Sequence, residues 1–304
     1  MSKIILLQTN HLTKMYGESI ALNAVSLTLT QGDIYGLIGR NGAGKTTFFK
    51  CVMGLAKPTS GTIEIINDRI NLNAARQKMG FMINPSFFPY LNPKENLEYL
   101  CHIKGLNKKG EVERLLKLVG LDGVKKPFKA FSLGMKQRLG IAGALLGSPS
   151  VVVLDEPING LDPQGIIDMR TVIKNAHAQT GATFIISSHI LAELDLVATQ
   201  FGFIEQGVLL KEISHTELHE HTKKSLNIEV DDISKAREIL KSLGIDTDHI
   251  AVNNNRLTLQ FHLDKPHEIA RALVNGGVEL YDLRRQEITL EEYFMRLVGG
   301  GQNA

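Results

Sequence analysis

The chain has 304 residues, room for two domains of about 150 residues each, so a single small module is excluded. Apolar residues make up 43% and charged residues 22%, a balance that supports a buried core and excludes a disordered chain. The formal net charge of +2 and sequence pI near 8.4 fall short of the basic balance of a dedicated nucleic-acid binder, so no nucleic-acid partner is expected.

Met1-Ser2-Lys3-Ile4-Ile5-Leu6-Leu7-Gln8 turns polar too soon for a secretory h-region. No uncharged apolar run approaches the roughly 18 residues of a membrane span, so the expectation is a cytosolic chain. Short Val/Ile/Leu-rich runs alternate with helical patterns, which predicts an α/β fold with a largely parallel sheet. The clearest strands are 34–38, 151–154 and 183–187, apolar almost throughout, as strands covered on both faces are. From about 93 to 129 there is no strand pattern; 95–103 and 111–119 carry apolar residues at helical spacing, predicting a helical insertion over about 91–147. Cys51 and Cys101 stand fifty positions apart, which is neither a metal-ligand spacing nor a disulfide framework, and both read as small buried side chains.

The strongest motif is Gly39-Arg40-Asn41-Gly42-Ala43-Gly44-Lys45-Thr46, a G-x-x-x-x-G-K-[ST] match between the strand 34–38 and the helical run 46–53, the context a P-loop requires. Its glycines let backbone N–H groups turn inward on a phosphate. Lys45 adds a point charge at the β/γ oxygens, and Thr46 offers a hydroxyl to Mg²⁺. A second carboxylate is needed for the metal, and Asp155 closes the strand 151–154 as a Walker B residue. Glu156 follows; with adjacent strand residues facing opposite ways, it is free to orient or deprotonate the attacking water. Phe131-Ser132-Leu133-Gly134-Met135-Lys136-Gln137-Arg138 opens another helical run. Ser132 is its expected N-cap, and a helix N-terminus with a hydroxyl is an anion site.

With these elements in this order, roughly residues 6–220 resemble the nucleotide-binding subunit of ATP-binding cassette (ABC) transporters. Tyr16, the P-loop Gly39 to Thr47, the signature at Ser132, Asp155-Glu156-Pro157, the D-loop Asn159-Gly160-Leu161-Asp162 and His189 in Ser187-Ser188-His189 carry the match. The resemblance implies an ATPase using ATP and Mg²⁺, in which two chains close as a homodimer and each signature covers the γ-phosphate on the opposite P-loop. Tyr16 then stacks on adenine, while Arg40, Asn41, Gly42, Ala43, Gly44 and Thr47 line the phosphate cradle with Lys45. Ser132 and Gly134 meet the partner's nucleotide, Asp162 lines the seam, and His189 contacts the γ-phosphate beside Glu156. Asn84 stands where the family has Gln or Glu and is the expected ligand of a Mg²⁺ water, with a shorter reach.

Leu133 and Met135 replace two residues of the usual Ser-Gly-Gly-Gln core, giving the version that resembles bacitracin-type and lantibiotic self-protection exporters. The implied function is ATP-powered efflux of an antibiotic, peptide or lipid-like substrate through separate permease subunits, with the chain peripheral on the inner face of the membrane. The competing reading is a soluble ABC-type clamp or regulator without a permease. Phe87, Phe88 and Tyr90 offer an apolar wall for the permease or, equally, for the helical insertion.

After residue 221 the pattern becomes strand 226–230, helix 234–243, strands 250–253 and 256–261, helix 266–274 and strand 278–283. This βαββαβ order is the ferredoxin-like plan. Asn253, Asn254 and Asn255 are the expected hairpin between its middle strands. The expected organisation is therefore an ABC domain over 1–221 and an accessory α+β domain over 222–304, closed by a helix over 289–298.

Overall fold

Strand-forming runs and the helices between them fix the order of the first part of the chain. β1 (Ile5–Tyr16) and β2 (Ser19–Thr30) pair antiparallel. β3 (Ile34–Ile38), buried at every position, leads into α1 (Lys45–Met53). β4 (Ser60–Ile65) returns to the free edge of β1, completing a three-stranded layer in the order β2-β1-β4. α2 (Leu72–Arg76) then precedes β5 (Met79–Met82).

The expected helical insertion follows as α3 (Pro93–Ile103), α4 (Glu111–Leu118), a 3₁₀ turn at Phe128–Ala130 and α5 (Leu133–Leu145). α3 starts two residues earlier than its apolar spacing suggests because Asn92 and Glu95 form a reciprocal capping box, with Pro93 in the first turn. β6 (Val151–Leu154), α6 (Pro163–Thr180), β7 (Thr183–Ser188), α7 (Leu191–Asp195), β8 (Gln200–Glu205) and β9 (Val208–Ser214) complete this part. The resulting six-stranded sheet runs β5-β6-β7-β3-β8-β9, with only β9 antiparallel to its neighbour.

The three-stranded antiparallel layer is an addition to what the sequence reading contained. One core joins Leu12, Leu22 and Val25 of that layer to Phe48 and Phe49 of α1 and to Leu37 and Ile185 of the main sheet. Each such side chain stabilises the fold by about 1.5–3 kcal/mol, and together they fix the start of α1. Tyr35 crosses β8 over Gly202, where an added Cβ would meet the phenol, and its hydroxyl donates to Glu212 Oε1 at 2.7 Å.

The computed structural model describes residues 4–66, 68, 70–106, 110–222, 225–245, 250–253, 255–259, 265–286 and 289–300. It divides into the units Met1–His215 and Thr216–Ala304, whereas the sequence reading divides the chain after residue 221. α8 (His215–His221) accounts for the difference, since the His221 ring stacks on Tyr293 at 5.4 Å within the second unit. That unit continues as β10 (Ser225–Val230), α9 (Ile233–Ser242), β11 (Ala251–Asn253), β12 (Arg256–Leu259), α10 (Pro266–Asn275), β13 (Leu280–Gln286) and α11 (Leu290–Gly300). Its antiparallel sheet runs β11-β12-β10-β13. Leu226, Ile228 and Val230 alternate into a core with Ala236, Leu240, Ile269 and Leu273 of the two helices. Asn253 pairs with Arg256 across the turn; Asn254 of the expected hairpin lies outside the described residues, as do 260 and 261 of the expected strand. Cys51 is buried as expected, but Cys101 is only partly so. Among the described residues, no helix is long and apolar enough to cross a membrane.

Candidate active site

Parallel pairing sets which residues meet at the carboxyl edge of the main sheet. Ile38 lies opposite Ser188 and Leu154 opposite Ile186, so the turns that follow β3, β6 and β7 converge. In parallel α/β sheets this edge is where ligands bind. The Gly39 N–H donates to the Ser188 carbonyl, and the next residues curl into α1. Gly44, the N-cap of α1, has φ 108°, and a Cβ there would sit 2.7 Å from the Ala21 carbonyl; only glycine fits this turn. With no acidic side chain in its first turn, α1 presents its N-terminal N–H groups and the positive end of its dipole to an anion.

Asn41, Gly42, Ala43, Gly44, Lys45, Thr46 and Thr47 line a cavity of about 200 Å³ together with Ala21 and Glu156. Lys45 is 5% exposed. Its Nζ donates to the carbonyls of Gly39 at 2.6 Å and Arg40 at 3.1 Å, and lies 3.1 Å from Glu156 Oε1. The other Glu156 oxygen, Oε2, lies 2.9 Å from His189 Nδ1. Since a carboxylate only accepts, Nδ1 carries the hydrogen of that bond. Thr46 Oγ1 donates to Asp155 Oδ2 at 2.8 Å. One cation and two carboxylates thus converge on the loop, each carboxylate with its own partners.

Asp155 and Glu156 divide their contacts as expected, but for a different reason. β6 ends at Leu154, so strand alternation no longer applies; instead Glu156 takes a left-handed backbone at φ 49°, which turns its side chain to Lys45 and His189. A non-glycine residue in that region is uncommon, and such conformations gather at functional sites.

Ser132 caps α5, its Oγ accepting from Met135 N–H at 3.3 Å. Asp162 caps α6 by accepting from Gly165 N–H at 3.0 Å, a role its position before Pro163 could have announced. Ser132, Leu133, Gly134 and Asp162 line a second cavity of about 370 Å³ with Gly160 and Leu161. No residue lining it lines the P-loop cavity.

Residues 22–159 match the family model described as ABC transporter. The chain is 40% identical over 299 residues to the bacitracin transport ATP-binding protein BcrA of Enterococcus faecalis, covering 97% of each chain. It is 41% identical to the lantibiotic transport ATP-binding protein SrtF of Streptococcus pyogenes over 209 residues, covering 68% of this chain and 90% of the relative. This chain is an ABC transporter ATP-binding protein. Among solved structures, an ABC transporter ATP-binding subunit superposes with a TM-score of 0.62 at 28% identity, covering 71% of this chain and 92% of that one. A dimeric bacterial ABC transporter cassette does so at 0.61 and 26%, covering 69% and 99%. As a member of this family the chain binds ATP and couples its hydrolysis to transport.

Within this ABC subunit, other expected site residues lie away from the P-loop cavity. Tyr16 ends β1 with half its surface exposed and Lys14 Nζ 4.7 Å from its ring centre. Asn84 has φ 44° and lines a separate cavity of about 320 Å³ with Phe81, Phe87, Leu100 and Lys104. The aromatic wall meets the insertion: Phe87 packs on Phe128 at 5.3 Å and Phe88 edge-on against Tyr99 of α3 at 4.6 Å, while Tyr90 is 77% exposed. Sequence reasoning missed Ser187 and Ala21. Ser187 is fully buried and bonds both Asp155 and Glu156. A polar side chain ending a buried apolar strand is the signal that could have found it.

Proposed function

We propose that the chain is the ATP-hydrolysing subunit of an exporter of bacitracin-like peptide antibiotics, working as a homodimer beneath separate permease subunits on the inner face of the membrane. The observation that carries this reading is coverage. Similarity to the bacitracin transport proteins of Enterococcus faecalis and Bacillus licheniformis extends over 97% and 99% of this chain, at 40% and 39% identity, and so through the second unit. A stand-alone clamp is less favoured, because the named relatives are transport proteins.

In the proposed cycle the triphosphate lies on the N–H groups of residues 41–47, and its oxygens compete with Glu156 for Lys45. Thr46 and Asp155 are hard oxygen donors of the kind Mg²⁺ takes beside phosphate, so these two side chains fit that ion. When bound, Mg²⁺ neutralises charge on the phosphate oxygens. Glu156, released from Lys45, accepts the proton of the water whose oxygen bonds the γ-phosphorus as the bond to the β,γ-bridging oxygen breaks and ADP and phosphate leave, and His189 holds the Glu156 carboxylate in place. Separate P-loop and signature cavities support a site completed by a second chain, whose Ser132 helix end and Asp162 close over the γ-phosphate.

The test is expression of the chain with its permease in a bacitracin-sensitive host. The expected result is raised bacitracin tolerance that disappears with Glu156→Gln. Tolerance to a lantibiotic but not to bacitracin would move the substrate class, and no change in tolerance to either would reject an antibiotic exporter.

A further inference from the structure

Ser187 is 0% exposed at the end of β7. A serine hydroxyl has one hydrogen to give and two lone pairs to accept with, and a buried one is costly unless bonded. Here the hydrogen goes to Asp155 Oδ1 at 2.6 Å, and a lone pair accepts the Glu156 N–H at 2.8 Å. The same oxygen therefore orients the side chain of one carboxylate and anchors the left-handed backbone of the next. Asp155 has two such bonds, but they are not alike. Thr46, which holds Oδ2, is exposed, so its hydroxyl can turn from the carboxylate toward an arriving cation. The bond from Ser187 is the more buried of the two, its donor lying wholly inside the sheet.

We propose that Ser187 is a positioning residue for hydrolysis, fixing the Asp155 carboxylate for the divalent cation and the Glu156 carboxylate for water through one hydroxyl. This rests on the reading of the P-loop cavity as a Mg·ATP site. Groups that orient a metal-binding carboxylate typically change metal affinity or activity by about 10–100-fold when removed. Ser187 acts before either carboxylate meets its ligand, so nucleotide binding without metal does not depend on it.

Binding of Mn²⁺ to the ADP-loaded full-length protein, followed by the paramagnetic signal of the free ion, reads the first half. Ser187→Ala should weaken Mn²⁺ by about 10-fold or more and slow turnover at saturating metal by a similar factor, while ADP affinity in EDTA, measured by calorimetry, is unchanged. Ser187→Thr, which keeps the hydroxyl, should restore Mn²⁺ affinity; if Ser187→Ala does not fold, Ser187→Cys keeps the volume with a weaker donor and should show the same loss. Parental Mn²⁺ affinity in Ser187→Ala (Ser187→Cys if Ala does not fold), or an equal loss of metal-free ADP binding, overturns the proposal. Asp155→Asn is the control on the site itself: if it too keeps parental Mn²⁺ affinity, the reading of the cavity fails and not merely the role of Ser187.

Discussion

Replacing Glu156 by Gln probes the two functions of that carboxylate separately. Glu156 is both the expected acceptor of the water proton and the anion that occupies Lys45 at 3.1 Å. Glutamine keeps the shape and a carbonyl oxygen for Lys45 but removes the negative charge and the basicity. Loss of the general base is expected to slow hydrolysis by about 10²–10⁴-fold. The second effect runs the other way. Charge-assisted hydrogen bonds are roughly twice as strong as neutral ones, and a bond to a charged group contributes about 1.5–3 kcal/mol. Neutralising Glu156 thus frees about 1 kcal/mol of Lys45 attraction for phosphate, tightening ATP by about fivefold. Phosphate release in a coupled assay reads the first effect, and calorimetry with Mg·ATP reads the second. Turnover within threefold of the parent would remove Glu156 from the mechanism, and weakened ATP binding would refute the competition for Lys45.

Lys45→Ala removes the cation held against the loop by the Gly39 and Arg40 carbonyls and should abolish measurable ATP binding by calorimetry. Tyr35→Phe removes the phenol donor of Glu212, an exposed residue of β9, and should destabilise the fold by about 0.5–1.5 kcal/mol in denaturant melts. Partial desolvation pushes the Glu212 carboxyl up, outweighing its hydrogen bonds; a proton held more tightly when folded contributes stability below the ordinary carboxylate range, and that contribution is lost as pH rises through the folded value. Parental stability relative to Glu212→Gln should therefore decline from pH 4.5 to pH 7 in thermal melts. Ending the chain after His221 leaves every residue that lines the P-loop cavity, so ATP affinity should match the parent in calorimetry.

Much of the catalytic edge was legible because its chemistry is contiguous in the chain. Gly39 to Thr47 occupy one strand-to-helix turn, and Asp155 and Glu156 follow one apolar strand. What joins them is not contiguous: the register that sets Leu154 against Ile186 brings Ser187 to Asp155, and no local pattern encodes that pairing. The β2-β1-β4 layer was hidden for another reason. Register shifts interrupt both of its ladders, and His11 and Ala24 adopt positive φ, so the apolar alternation that marks a half-buried strand is repeatedly broken. The parallel strands β3, β6 and β7, by contrast, read as almost unbroken apolar runs and were placed almost to the residue, whereas the parallel strands β5 and β8 were not among those expected. The second unit was legible as a βαββαβ succession because β10 and β12 alternate, as Leu226, Ile228 and Val230 and then Leu257 and Leu259 do, although β11 is exposed at every position.

The division between the P-loop cavity and the signature cavity underlies the proposal that one chain carries two half-sites and needs a second chain to complete either. A chain bearing both Lys45→Ala and Ser132→Arg, titrated into the parental protein, tests it directly. If sites form between chains, each mixed dimer pairs a parental P-loop with a mutant signature and a mutant P-loop with a parental signature, so both sites are spoiled. ATP hydrolysis per parental chain should then fall steeply as the double mutant is added. Hydrolysis that stays flat across the titration although mixed dimers form would show that each chain completes its own site, and would contradict the composite arrangement.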